Sequence, residues 1–186
     1  MKFTKIPKNT FDAMQFDAGI LLSAFDPAAG AEPADGDILC ATTGDVSIVC
    51  KPNYVDMGED VNNCPTGMME LKKIKDWTCT IKFTALSFTP AMLKLGLGAA
   101  DVEGSKVSIR RTLKSADFAD IWWVGDAGED DMVAVKVLNA LSTEGITITA
   151  SKDNKGKLEI TLQGHVSIEN QDIMPMEFYS TAGQVA

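Results

Sequence analysis

The stretch 145-GITITASKDNKGKLEITLQGHVSI-168 decides the fold. In Lys157–Ile168 the residues Leu158, Ile160, Leu162, Gly164, Val166 and Ile168 fall on one face. Lys157, Glu159, Thr161, Gln163, His165 and Ser167 fall on the other. This period of two predicts a half-buried strand with one wet face. Gly145–Ser151 repeats the pattern, with Ile146, Ile148 and Ala150 against Thr147, Thr149 and Ser151. The connector Lys152-Asp153-Asn154-Lys155-Gly156 is turn chemistry, so the two runs predict a β-hairpin.

Working outward, the same period recurs. Met132–Leu141 places Val133, Val135 and Val137 on one side, and it follows Phe118–Val124 across the loop Gly125–Asp131. Trp77–Ser87 puts Cys79, Ile81, Phe83 and Ala85 on one face. Ile38–Thr43 and Val46–Lys51 flank Gly44-Asp45 and predict a second hairpin. Gly19–Ala24, Lys106–Arg111 and Met174–Tyr179 are shorter strand candidates, for a total of about nine strands. One helix stands against them, at about residues 89–98. Thr89 is suited to the N-cap and Pro90 to the first helical position, with Phe88 and Leu93 at the staple positions. Met92, Leu93, Leu95 and Leu97 make the helix almost wholly apolar, Gly96 and Gly98 limit its length, and burial against the sheets follows. Asp26–Asp37 and Pro52–Gly67 read as loops. A loop as long as 52–67 in a small β domain is unusual and tends to be functional.

The chain has 186 residues, 45% of them hydrophobic, which supports one domain with a real core. No apolar run approaches the ~18 residues of a membrane span. The start MKFTKIPKNTFD lacks the apolar core of a secretory signal, so the expected place is the cytosol. The net charge is −9 and the pI near 4.6, which argues against a protein that grips nucleic acid through its phosphates. Nearly all the excess lies in residues 26–70, where nine acids face one base, Lys51. Such a block reads as a solvated loop region or a surface that selects a partner.

Catalytic and metal signatures are weak. Cys40, Cys50, Cys64 and Cys79 include no C-x-x-C, which leaves zinc little support, and Cys40, Cys50 and Cys79, among strand-like residues, read best as small buried hydrophobes. The segment Gly96-Leu97-Gly98-Ala99-Ala100-Asp101 lacks the third glycine of a dinucleotide fingerprint and follows a helix instead of a strand. The acids Asp126, Glu129, Asp130 and Asp131 lack the spacing that wraps calcium, and read as a hairpin loop. His165 is the sole histidine and belongs to no nucleophile motif. The expectation is a non-enzyme without metal or cofactor. Bottom-up, an acidic, mainly β domain with a long acidic loop points to an assembly protein.

The blocks PKNTFDAMQFDAGILL, FDP, GDILCATTGDVSIVCKP, DMGEDVNNCP, TIKFTALSFTP, LGAADV, DIWWVGD, LNALST, GHVSIENQD and PMEFY, running from Lys5 to Tyr179, carry a resemblance. Together they resemble the major tail tube protein of long-tailed, non-contractile (siphovirus-type) bacteriophages and prophages. The resemblance implies a β-sandwich or partly closed barrel with one flanking helix. It implies six copies to a ring, and stacked rings forming a tube in the virion tail, assembled in the host bacterial cytoplasm. DNA passes through the lumen without specific binding. The implied partners are the chain itself, a tape-measure protein, a tail terminator and distal tail or initiation proteins, with no membrane. Within a single domain 1–186, it implies an N-terminal arm (1–16), an inter-ring loop (52–67) and a C-terminal tail (180–186), without the immunoglobulin-like domain that some members add.

Physical reasoning gives this expectation residues. Six copies would carry roughly −54, and a negative bore repels phosphates so that DNA slides. Ordering the sixteen residues of the 52–67 loop costs about 1–2 kcal/mol each, more than its few apolar side chains return within one subunit. A stacked ring would add the missing surface. Tyr54 and Met57 are the expected anchors, and Asp56, Glu59 and Asp60 would meet Lys72, Lys73, Arg110 and Arg111. Thr147, Thr149 and Thr161 are candidate lumen-facing residues. The alternatives are a soluble β-barrel binding module, another non-tube virion component, or a secretion-system tube protein of similar fold.

Overall fold

The hairpin read from Gly145–Ile168 is present, but each of its strands is cut differently from the sequence pattern. The computed structural model describes residues 6, 10, 14, 15, 17–29, 32–128 and 131–181. In it, ten strands and one α-helix follow one another as β1 (Ile20–Leu22), β2 (Ile38–Cys40), β3 (Ser47–Asp56), β4 (Lys72–Ala85), α1 (Pro90–Leu97), β5 (Ala100–Glu103), β6 (Lys106–Ile109), β7 (Ala119–Ala127), β8 (Asp131–Thr149), β9 (Lys157–Gln163) and β10 (Met176–Ser180). The fold is mainly β and antiparallel. Most of the expected N-terminal arm and C-terminal tail lies outside the described residues; Gln15 bridges Ala127, and Gly19 leads into β1.

β8 organises the molecule. Its first half pairs β7 and β10, and its second half pairs β9. The sequence reads Met132–Leu141 and Gly145–Ser151 as separate strands, because Ser142-Thr143-Glu144-Gly145 resembles a turn. In the structure these residues are an irregularity inside one 19-residue strand, where the pairing jumps from Ser142↔Leu162 to Ile146↔Ile160. Gly145 (φ 73°) supplies a positive dihedral at this bend, and Asn139 (φ 47°) another at the irregularity against β7 between Ala119 and Ile121. A strand kinked in this way can pass from one sheet to another. The expected loop Gly125–Asp131 is likewise mostly strand, since β7 and β8 pair out to Ala127↔Asp131.

The strand order is β2-β1-β7-β8-β9-β4-β3. The expected hairpin across Gly44-Asp45 does not form. β2 pairs β1 and β3 pairs β4, and the residues between them run along β4: Thr42 bridges Ala85, Thr43 N–H donates to the Thr84 carbonyl (2.9 Å), and Leu86 N–H donates to the Ala41 carbonyl (2.9 Å). A two-residue type I′ turn needs positive φ at both central residues. Here Gly44 has it (φ 72°) and Asp45 does not, so the chain bends and continues. These bridges join β2 back to β4 and draw the sheet into a partly closed barrel.

Leu21, Cys79, Ile81, Phe83, Ile121, Val137, Leu158, Ile160 and Leu162 fill the core as one contiguous cluster. The alternation of Trp77–Ser87 therefore identified the correct inward face. That of Lys157–Ile168 holds only to Gln163. Gly164 N–H donates to the Cys79 carbonyl and His165 N–H to that of Leu138, so the backbone leaves the strand, and Val166 and Ile168 end up exposed. α1 lies over β8 and β9 as expected. Thr89 Oγ1 accepts from Met92 N–H (3.3 Å), and Gly98 ends the helix at φ 71°. Gly96 permits the close approach, since a Cβ there would sit 2.2 Å from Ile146 Cγ2.

Candidate assembly interface

β4 pairs β9 only over Thr80–Ala85, whereas it pairs β3 as far as Lys72. From Thr78 outward, β3 and β4 thus form a two-stranded arm with no further strand beside it. The sequence reads 52–67 as one loop because the stretch is polar and acidic and is bounded by Pro52 and Gly67. Pro52 is tolerated because β3 is an edge strand, where a missing N–H removes no ladder bond on the open side. β3 continues to Asp56, so only the tip from Met57 onward is loop, ending in a 3-10 turn at Met69–Leu71. β4 correspondingly starts five residues before the expected Trp77.

Asp56 builds the tip. Its carboxylate accepts from Gly58 N–H (2.9 Å) and Gly67 N–H (3.0 Å), spanning the loop, while Met57 N–H donates to the Leu71 carbonyl (2.9 Å). The Gly58 and Gly67 amides, with a smaller contribution from Lys72, hold the Asp56 carboxyl below the usual carboxylate range. Lys72 is the register partner of Asp56, and its Nζ lies 5.1 Å from the centre of the Tyr54 ring. Tyr54, Asp56, Lys72 and Lys73 therefore share one hairpin end.

Arg110 is engaged elsewhere. It leaves β6, which with β5 forms a separate two-stranded sheet, and pairs with Asp101 (2.9 Å) and Asp117. The Asp117 side chain is 1% exposed. Lys114 N–H donates to it (2.8 Å), and this bond together with Arg110 depresses its carboxyl below the ordinary range despite burial. Asp56 and Arg110 thus leave the set of charges free to meet a neighbour, because each completes its own subunit. Glu59, Asp60, Lys73 and Arg111 remain exposed.

The arm presents apolar side chains to solvent. Tyr54 and Met57, the expected anchors, are 55% and 54% exposed, and Met69 reaches 79%. Val55, Val61, Met68 and Ile74 join them. Ile74 escaped the sequence reading because it stands between Lys73 and Lys75 and resembles part of a basic run. At the arm's root, Ile74 and Trp77 face Val166, Met174 and Pro175 across a shallow groove.

Among the described residues β2, β10 and the β5–β6 hairpin each keep an unpaired edge, as do β3, which pairs only β4, and Ile146–Thr149, which pairs only β9. Thr147 and Thr149 are exposed there. Thr161 differs. It is 9% exposed, because β9 is an interior strand with β4 and β8 on its flanks. No helix among the described residues is long and apolar enough to cross a membrane, and no group of three or more acidic, cysteine or histidine side chains among them is placed to hold a metal ion. No protein-family model matches the chain, and a search of curated proteins returned no match.

Proposed function

We propose that this chain is a structural virion protein, the subunit of a tail tube of the long-tailed, non-contractile phage type, which polymerises as stacked hexameric rings around a DNA conduit. The observation that carries the reading is the β3–β4 arm: a hydrogen-bonded hairpin that projects from the sheet and exposes Tyr54, Val55, Met57, Met69 and Ile74. Apolar side chains collected on one rigid projection mark a surface that another molecule covers. In the tube that molecule is the adjacent ring, and the exposed Glu59, Asp60, Lys73 and Arg111 are the charges left to complement it. The open edges of β3 and of Ile146–Thr149 support lateral joining, since a head-to-tail ring gives every edge a partner. Lys51, Pro52 and the bulge at Asn53/Tyr54 confine such pairing on β3 to its first residues. The order and coverage of the sequence blocks supply the phage assignment and, with it, a non-enzymatic role, the tape-measure, terminator and initiation proteins as partners, and the virion tail as location.

Negative-stain microscopy and analytical ultracentrifugation of concentrated protein test this directly. Rings or tubes are the expected result, and Met57→Asp with Met69→Asp should leave a folded monomer that no longer forms long tubes. Monomer alone at high concentration, with none of these assemblies even in the presence of tail-initiation proteins, would overturn the proposal.

A further inference from the structure

Cys50 and Cys79 are direct register partners across the β3–β4 ladder, and their sulfurs lie 3.3 Å apart as free thiols. Directly opposed residues of an antiparallel pair have Cα atoms about 4.5–5.5 Å apart, inside the roughly 4.4–6.8 Å span that a disulfide bridges. We propose that this pair is an oxidation site, at which hydrogen peroxide converts two thiols into a cross-strand disulfide at the root of the arm.

The two positions differ in access. Cys79 is buried in the core, and Cys50 is half-buried on the edge strand. Peroxide therefore reaches Cys50 first. The Cys50 sulfur takes one peroxide oxygen, the O–O bond breaks, and one water leaves with Cys50 as the sulfenic acid. The Cys79 sulfur then attacks the Cys50 sulfur, the S–O bond breaks, and the sulfenic hydroxyl leaves with the Cys79 proton as a second water. The two thiols supply the two electrons that reduce one peroxide. Burial and the neighbouring thiol push Cys79 up to about 12, so this second step speeds up with rising pH. The other thiols lack such a partner at hand. Cys40 is buried in the core, and the Cys64 sulfur lies 3.7 Å from that of Met68. The bond would tie β3 to β4 where the arm leaves the sheet, enclosing residues 51–78. This chemistry belongs to the hairpin whether or not the arm meets another copy.

The test uses the full-length protein, reduced, freed of reductant under nitrogen and treated with one equivalent of hydrogen peroxide. After alkylation it is mapped under non-reducing conditions by mass spectrometry. The expected result is a peptide pair joined through Cys50 and Cys79, a fall in titratable thiols from four to two, and reversal by dithiothreitol. Cys64→Ser should form the link as the wild type does, whereas Cys50→Ser should keep Cys79 as a thiol. Four surviving thiols, a Cys50 sulfinic acid beside an intact Cys79 thiol, or a link that requires Cys64 would each overturn the proposal.

Discussion

Replacing Gly96 by alanine sets two effects of opposite sign against each other. Gly96 lies inside α1, where alanine is favoured over glycine by about 1 kcal/mol. The added methyl would also stand 2.2 Å from Ile146 Cγ2, with Ile160 Cγ1 and Cδ1 at 3.1 and 3.2 Å. Apolar carbons rest about 3.5–4.0 Å apart, so the overlap with Ile146 exceeds an ångström. The Ile160 Cδ1 atom can swing away. Ile146 Cγ2 cannot, because it is fixed to a β-branched carbon on a strand, and relief requires a χ1 change or a retreat of the helix. Overpacking costs about 1–3 kcal/mol, and an overlap this deep against a fixed methyl belongs in the upper part of that range, about 2–3 kcal/mol. The clash should outweigh the propensity gain, leaving Gly96→Ala destabilised by about 1–2 kcal/mol; for a domain of this size that lowers Tm by roughly 2–8 °C. Urea titration followed by near-ultraviolet circular dichroism measures the difference on dilute protein. In an Ile146→Ala background the obstructing methyl is gone, and the same Gly96→Ala change should stabilise. A Gly96→Ala protein as stable as the parent would refute the close packing of α1 on β8, as would equal effects in both backgrounds.

Three other outcomes follow from the charges. Asp117→Ala leaves the half-buried Arg110 with Asp101 as its one carboxylate partner and frees the Lys114 amide, so stability should fall by about 2–4 kcal/mol, read from the urea midpoint. Asp56 has its pKa lowered in the fold, so its contribution is present above the unfolded carboxylate pKa and is lost as pH falls through the lower folded value; amide exchange at Gly58 and Gly67, corrected for its intrinsic pH dependence, should quicken in that acid window, and in Asp56→Asn the acid dependence should vanish. Duplex DNA should not bind the subunit, since its net charge is −9; salt-sensitive sub-micromolar binding in a gel shift would contradict an electronegative conduit.

The mainly β class and the helix were legible from the sequence alone, because alternation and capping are local. Cys79, Ile81, Phe83, Leu158, Ile160 and Leu162 face inward as their period of two required, and Thr89, Pro90 and Gly98 bound the helix where their backbone preferences place them. Exposed apolar anchors were partly legible, since Tyr54 and Met57 stood out in an acidic stretch while Ile74 was hidden between lysines. Pairing was not legible, because a strand's partner depends on where distant segments come to lie. That is why Gly44-Asp45 resembles a hairpin turn yet carries the chain along β4, and why Ser142–Gly145 resembles a turn yet lies inside a single strand. It is also why Asp56 and Arg110, free charges by sequence, are spent on Gly58, Gly67, Asp101 and Asp117 in their own subunit. Burial of Thr161 and the contact of Cys50 with Cys79 have the same origin: each is a property of neighbouring strands, set by the strand order and register of the sheet.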